Sequence, residues 1–274
     1  MKEYPCTLTI AGSDSGGGAG VQADLKVMTM LGTFVTTAFT VMTAQNGLGI
    51  GTIYKLPVDF IKEQITMVLE GFPIKALKTG MLFSAEIIEA VSEELQKYPD
   101  IIKVIDPVCV CATQGDKLLL EEDALQTLIK KLIPLADVLT PNKPEAEALT
   151  GISITTEESV HKAILALYDM GAKAVFLKGG HFSIQRNTMI DWLYAPSFSQ
   201  EIIALPHNVV DTNNIHGTGC ATGAAITAFL AKGYSLHESV TMAQEYIVTC
   251  LEQSYTQGKG IGTPNHIAVT KYIV

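Results

Sequence analysis

The chain has 274 residues, of which 47% are apolar and only 17% charged, and it carries a net charge of −9. So little charge excludes a disordered chain and suits a sheet covered on both faces. The negative balance argues against nucleic acid or an acidic membrane surface as partner, although backbone N–H groups can still hold an anion locally.

Taken in chain order, the apolar run 7–11 predicts a buried strand, and the glycine-rich loop 12–20 follows it. The run 34–43 predicts a second strand with Thr43-Ala44-Gln45-Asn46-Gly47 as its loop. Residues 58–70 place Phe60, Ile61, Ile65, Val68 and Leu69 on one helical face, with Gly71 as the expected C-cap. The strand 76–81 leads to Gly80-Met81-Leu82. A helix over 85–96 is stopped by Pro99. The run 103–110 contains Asp106-Pro107-Val108. A helix over 121–132 precedes Pro134, and the strand 137–140 runs into Thr140-Pro141-Asn142-Lys143-Pro144-Glu145. A helix over 157–169 is capped by Gly171, and the strand 174–178 ends in Lys178-Gly179-Gly180-His181. After a strand over 189–194, His216-Gly217-Thr218-Gly219-Cys220 opens a helix of small residues to Ala231, and 237–251 is the last helix. Near-continuous apolar strands alternating with amphipathic helices imply a mostly parallel α/β sheet. No linker or repeat divides the chain, so residues 1–274 are expected to form one domain. Ligands of such sheets lie at the carboxyl ends of the strands, and the loops there are the place to seek chemistry.

The five cysteines (Cys6, Cys109, Cys111, Cys220 and Cys250) form no Cys-x-x-Cys, so neither a disulfide framework nor a zinc site is expected. No signal-peptide core follows the first residues. The charge-free run between Lys26 and Lys55 is too rich in threonine and glycine to read as a spanning helix. A soluble, cytoplasmic protein is expected.

The glycines at 217 and 219 let N–H groups converge at a helix start, where the dipole favours an anion; a tight turn is the plainer reading. Cys220 lies inside this candidate nest, where the helix terminus is expected to lower the thiol pKa; packing of the first turn is the alternative. The loop 12–20 lacks the Walker A lysine and either closes over a ligand or simply turns. Asp24, on the next helix, reads by itself as a capping or solvated carboxylate. Asp106 and Glu145 follow different strands and could hold Mg²⁺ through water, or cap a loop and a helix. Lys178, at a strand end, can neutralise phosphate or simply reach solvent. Metal-binding histidine spacing and Gly-x-Ser-x-Gly are both absent, which disfavours metallohydrolase and serine-hydrolase chemistry.

As an ordered set, the segments 11–24, 43–46, 78–82, 106–108, 140–146, 178–181 and 216–220 resemble the ribokinase superfamily. More narrowly, they resemble the hydroxymethylpyrimidine/phosphomethylpyrimidine kinases of thiamine biosynthesis. The resemblance implies a three-layer α/β/α sandwich with about eight mostly parallel strands. It also implies ATP- and Mg²⁺-dependent phosphorylation of 4-amino-5-hydroxymethyl-2-methylpyrimidine and then of its monophosphate, in a homodimer. By that resemblance Gly12, Asp24, Gln45, Met81, Val108 and Cys220 contact the pyrimidine, and Gly217, Thr218 and Gly219 form the anion hole. Asn142, Lys178 and Thr218 contact the nucleotide and its phosphates, Glu145 and Asp106 stand near Mg²⁺, and Cys220 is the base.

Some positions depart from the family pattern. Cys109 stands where methionine often follows Asp-Pro-Val, Cys111 is close by, Ile215 replaces a threonine, and Ala221 and Gly223 replace Ser/Thr residues. The rival readings are a pyridoxal kinase, a non-catalytic pyrimidine sensor and, further off, a NAD-dependent dehydrogenase. Gln45 favours the pyrimidine enzyme over the first. The complete loop with Cys220 disfavours the second, and the missing dinucleotide fingerprint disfavours the third.

Overall fold

The computed structural model describes residues 3–111, 117–118, 120, 123–179, 183–185 and 188–268. Its first half comprises β1 (Cys6–Ala11), α1 (Gly20–Met30), β2 (Phe34–Phe39), β3 (Val41–Asn46), β4 (Gly49–Lys55), α2 (Val58–Gly71), β5 (Ile74–Thr79), α3 (Ala85–Gln96), β6 (Ile102–Ile105), β7 (Val110–Cys111) and β8 (Lys117–Leu118). The second half continues with α4 (Ala124–Thr127), β9 (Val138–Leu139), α5 (Lys143–Thr150), α6 (Glu157–Asp169), β10 (Val175–Leu177), β11 (Ser183–Gln185), β12 (Thr188–Ala195), β13 (Ser199–Asn208), α7 (Thr218–Ala231) and α8 (Leu236–Glu252).

Alternation along the strands sends side chains to two separate cores. Leu8 and Ile10 of β1, Leu77 of β5, Ile105 of β6 and Val175 of β10 join α2, α3, α4, α5 and α6 on one face. Val104, Val138 and Phe176 join α1, α7 and α8 on the other. Between the two cores lies a nine-stranded sheet in the order β11-β12-β10-β9-β6-β5-β1-β2, with β13 also paired to β12. The six strands from β10 to β2 are parallel, and β12 joins β10 antiparallel. This is the expected α/β/α sandwich. Helix α7 is buried from Ala221 to Leu230, which accounts for its small residues: α1, α8 and three strands all pack on it.

The structure differs from the sequence reading in four main places, the first being that the strand expected over 103–110 ends at Ile105. The run 34–43 breaks at Thr40, and the segment read as a loop is β3, which leaves the sheet to pair with β4 as a separate hairpin. Gln45 therefore sits on a strand. The helix expected over 121–132 is α4 and then a wider turn at Leu128–Leu132, with Glu121 outside the described residues. The ten-residue β13 was not expected, because its polar alternation and Pro206 do not read as a buried strand. Among the described residues no helix is long and apolar enough to cross a membrane.

Candidate active site

The loop after β1 is organised by one carboxylate. Asp14 Oδ1 accepts the Gly16 N–H at 2.8 Å, and Oδ2 accepts those of Gly18 at 3.0 Å and Ala19 at 2.8 Å. Oδ2 also lies 2.9 Å from His216 Nε2, tying the first loop to the residue before the anion loop, 202 positions away. Burial raises the Asp14 pKa, but the His216 bond and the backbone N–H groups outweigh it and hold the carboxyl below its ordinary value. Gly217, the N-cap of α7, has φ of 83° and packs directly on the Gly18 carbonyl, where a side chain would collide. Only glycine meets both demands cheaply.

The next layer down is built of buried charge. Lys78, inside β5, is fully buried and pairs with Asp24 at 3.0 Å. Its Nζ is also 4.0 Å from Asp106, and Thr9 donates to Asp24 at 2.6 Å. Gly223 leaves room for the lysine, since a β-carbon there would meet Lys78 Cε at 3.0 Å. Asp106 in turn accepts from Lys178 Nζ at 2.8 Å. Burial pulls Lys178 down, yet Asp106 and Glu145 outweigh it and keep the ammonium charged. Asn142 and Glu145 form a capping box at the start of α5: Glu145 N–H donates to Asn142 Oδ1 at 2.9 Å and Asn142 N–H to Glu145 Oε2 at 2.8 Å. Burial pushes the Glu145 carboxyl up despite Lys178.

A cavity of about 170 Å³ at the carboxyl edge of the sheet is lined by Gly12, Gln45, Met81, Asp106, Val108, Asn142, Glu145, Lys178, Gly217, Thr218, Gly219 and Cys220. The segments that follow six strands (β1, β5, β6, β9, β10 and β13), together with Gln45 on β3, thus bring together every site residue expected from the sequence except Asp24. A second, larger cavity of about 280 Å³ shares Asn142, Lys178, Ile215, Thr218 and Gly219 with it and continues past Met189, His207 and Val248. The anion loop stands between the two. Gly180 and His181 lie outside the described residues.

Two expectations need correction. Asp24 is neither solvated nor a cap: it is fully buried, with Oδ2 paired to Lys78, and it is not among the residues lining the cavity. Nor does the helix terminus leave Cys220 with a lowered pKa. Burial pushes the thiol up to about 11, and Asp106 and Asp24 push the same way, against Lys78 and the Gly20 backbone. The sequence reading gave no role to Lys78, Asp14 or His216. A lysine inside an apolar run was the available signal for the first, because a buried ammonium demands a carboxylate.

The glycine loop, the anion loop before a buried helix and the lysine–carboxylate floor on a mostly parallel sheet define a kinase of the ribokinase-like fold. A solved pyridoxal kinase from Bacillus subtilis, in an ADP complex, superposes with a TM-score of 0.87 at 33% identity, covering 97% of this chain and 98% of that one. A solved phosphomethylpyrimidine kinase from Clostridium difficile gives 0.77 at 39% identity, covering 89% and 97%. The hydroxymethylpyrimidine/phosphomethylpyrimidine kinase of Haemophilus influenzae is 44% identical over 272 residues, 99% of this chain and 100% of the relative. The family model described as phosphomethylpyrimidine kinase matches residues 14–265, and the chain belongs to that family.

Proposed function

We propose that the protein uses ATP to phosphorylate the hydroxymethyl group of 4-amino-5-hydroxymethyl-2-methylpyrimidine, and then the resulting monophosphate, in thiamine biosynthesis. The observation that carries this is the pair of cavities meeting at Thr218 and Gly219. The smaller one, walled by Gln45, Met81 and Val108, suits the ring, and the larger one suits the nucleotide. Pyridoxal kinases share the fold, so the fold alone does not choose between the two activities. The higher identity to pyrimidine kinases and the Gln45 amide in the small cavity favour the pyrimidine.

Phosphoryl transfer needs alignment and neutralisation of spreading negative charge. The amino-terminal end of α7 turns its positive dipole toward the junction of the cavities, and Lys178 adds a full charge there. Cys220 lies where the hydroxymethyl proton is to be taken up. Lys78 beneath it is the charge that makes a thiolate attainable against burial. Among the described residues no cluster of three or more His, Cys, Asp or Glu could hold a metal by itself. Asp106 and Glu145 nevertheless fit Mg²⁺ held mainly by phosphate oxygens and water: both are buried carboxylates on the cavity wall, and carboxylate oxygen is the donor a hard cation takes. When bound, the ion would neutralise phosphate charge. The test is turnover of purified protein with Mg·ATP, offering hydroxymethylpyrimidine, its monophosphate and pyridoxal side by side. Both pyrimidines are expected to be phosphorylated far better than pyridoxal, and pyridoxal as the best substrate would overturn the assignment.

A further inference from the structure

Gln45 has two neighbours for its side-chain amide. Oε1 is 3.2 Å from the Thr43 hydroxyl, and Nε2 is 3.3 Å from His216 Nε2. That same His216 nitrogen is 2.9 Å from Asp14 Oδ2. Asp14 also takes three backbone N–H groups and is held ionised, so it can only accept. His216 must therefore carry its hydrogen on Nε2, and an amide NH₂ facing it sets donor against donor. Turning the Gln45 amide over resolves the conflict: the single Nε2–H, directed mainly at Asp14, is shared with the Gln45 oxygen as a three-centre bond, and the NH₂ donates to Thr43, whose hydroxyl donates at 2.7 Å to the Ser13 carbonyl. One lone pair and one N–H of the amide then remain for a ligand.

We propose that His216, fixed by Asp14, is a specificity-determining positioning residue: it sets which end of the Gln45 amide accepts and which donates. This rests on Gln45 reading the ring, as put forward above. An aminopyrimidine edge offers a 4-amino donor beside the N3 acceptor, so the amino group must lie at the His216 end. The ring carbon bearing the hydroxymethyl is next to the amino carbon. His216 directly precedes Gly217, so the amide's orientation turns the reacting hydroxymethyl toward the anion loop and the other edge of the ring away from it.

The 4-oxo analogue of the substrate, with a carbonyl at C4 and a hydrogen on N3, reverses the pattern and serves as the probe. In the full-length protein with Mg·ATP, His216→Leu is expected to reduce the preference for the 4-amino over the 4-oxo compound about tenfold, the value of one oriented hydrogen bond. The change should fall in KM for the pyrimidine, with KM for ATP unmoved. His216→Gln, whose NH₂ can donate to both Asp14 and Gln45, should keep the preference. An undiminished preference in His216→Leu, or an equal KM rise for both compounds, overturns the proposal. Gln45→Ala separates the two ideas: if it leaves the preference intact, Gln45 does not read the ring and the underlying reading fails as well. Should His216→Leu not fold, the ¹⁵N shifts of His216 in the unmodified protein decide, since a ring with bare Nε2 is incompatible with the proposal.

Discussion

The two walls of the small cavity are built in opposite ways. The wall made by the loop 12–20 and β3 is held by backbone N–H groups and the His216 ring gathered on one carboxylate, Asp14, and by the Thr43 hydroxyl on the Ser13 carbonyl, beside glycines that let the chain come close. The floor is a line of alternating full charges, Asp24, Lys78, Asp106 and Lys178, drawn from α1, from β5 and from the residues just after β6 and β10, and almost closed to water. The first wall can be adjusted one hydrogen bond at a time. In the second, each charge is tolerable only because its neighbours are present, so a single loss there costs far more.

That contrast can be broken most sharply at Cys220, above the charged floor. Cys220→Ala is expected to lower kcat by about 10²–10⁴-fold, with pyrimidine affinity largely kept. Near-full kcat at saturating substrate would reduce the thiol to packing. With the thiol at about 11, log kcat/KM should climb with pH at a slope of about one through the neutral and alkaline range, and the climb should disappear in the variant. Lys78→Met tests the floor itself. It strands Asp24 without a counter-charge and should cost about 3–5 kcal/mol of stability in urea unfolding. Adding Asp24→Leu should return much of that, whereas additive losses would show that the two do not act as a pair. On the hydrogen-bonded wall, Gln45→Met should cost about 1–3 kcal/mol in kcat/KM for the pyrimidine and much less for pyridoxal; equal losses would make Gln45 a support for the hairpin. The smallest expected effect lies outside the contrast: Asn142→Ala removes a helix cap worth about 1 kcal/mol, read as a modest fall in Tm.

How much the sequence disclosed follows the same division. On the hydrogen-bonded wall the glycine spacing of 12–20 and of 217–220 stands out locally, and the family resemblance pointed to Gly12 and Gln45, whereas the tie between Asp14 and His216, 202 positions apart, has no local signal. The strand period and helix faces likewise disclosed the α/β/α layering. The floor was harder, because charge pairing between α1, β5 and β6 depends on which strands are neighbours, and no local pattern states that. Asp24 was thus read as a solvated or ligand-binding carboxylate, and Lys78 was given no role. The hairpin β3–β4 was hidden for a related reason. Among the described residues its strands pair only with each other, so they lack the continuous apolar runs that mark strands buried on both faces.

The contact of Gly217 with the Gly18 carbonyl also sets a schedule. The first glycine loop emerges from the ribosome almost at once, but its partner is made some 200 positions later, together with the helix that fills one core. At ordinary synthesis rates of about 5–20 residues per second, that is an interval of roughly ten seconds or more. Until then, the loop around Asp14 has no second half to close on, and Lys78 and Asp24 lack the helix that shields them. A nascent chain halted short of residue 216 would therefore be without phosphotransferase activity however well its earlier strands had paired, and its uncovered sheet face would be the part most exposed to chaperones.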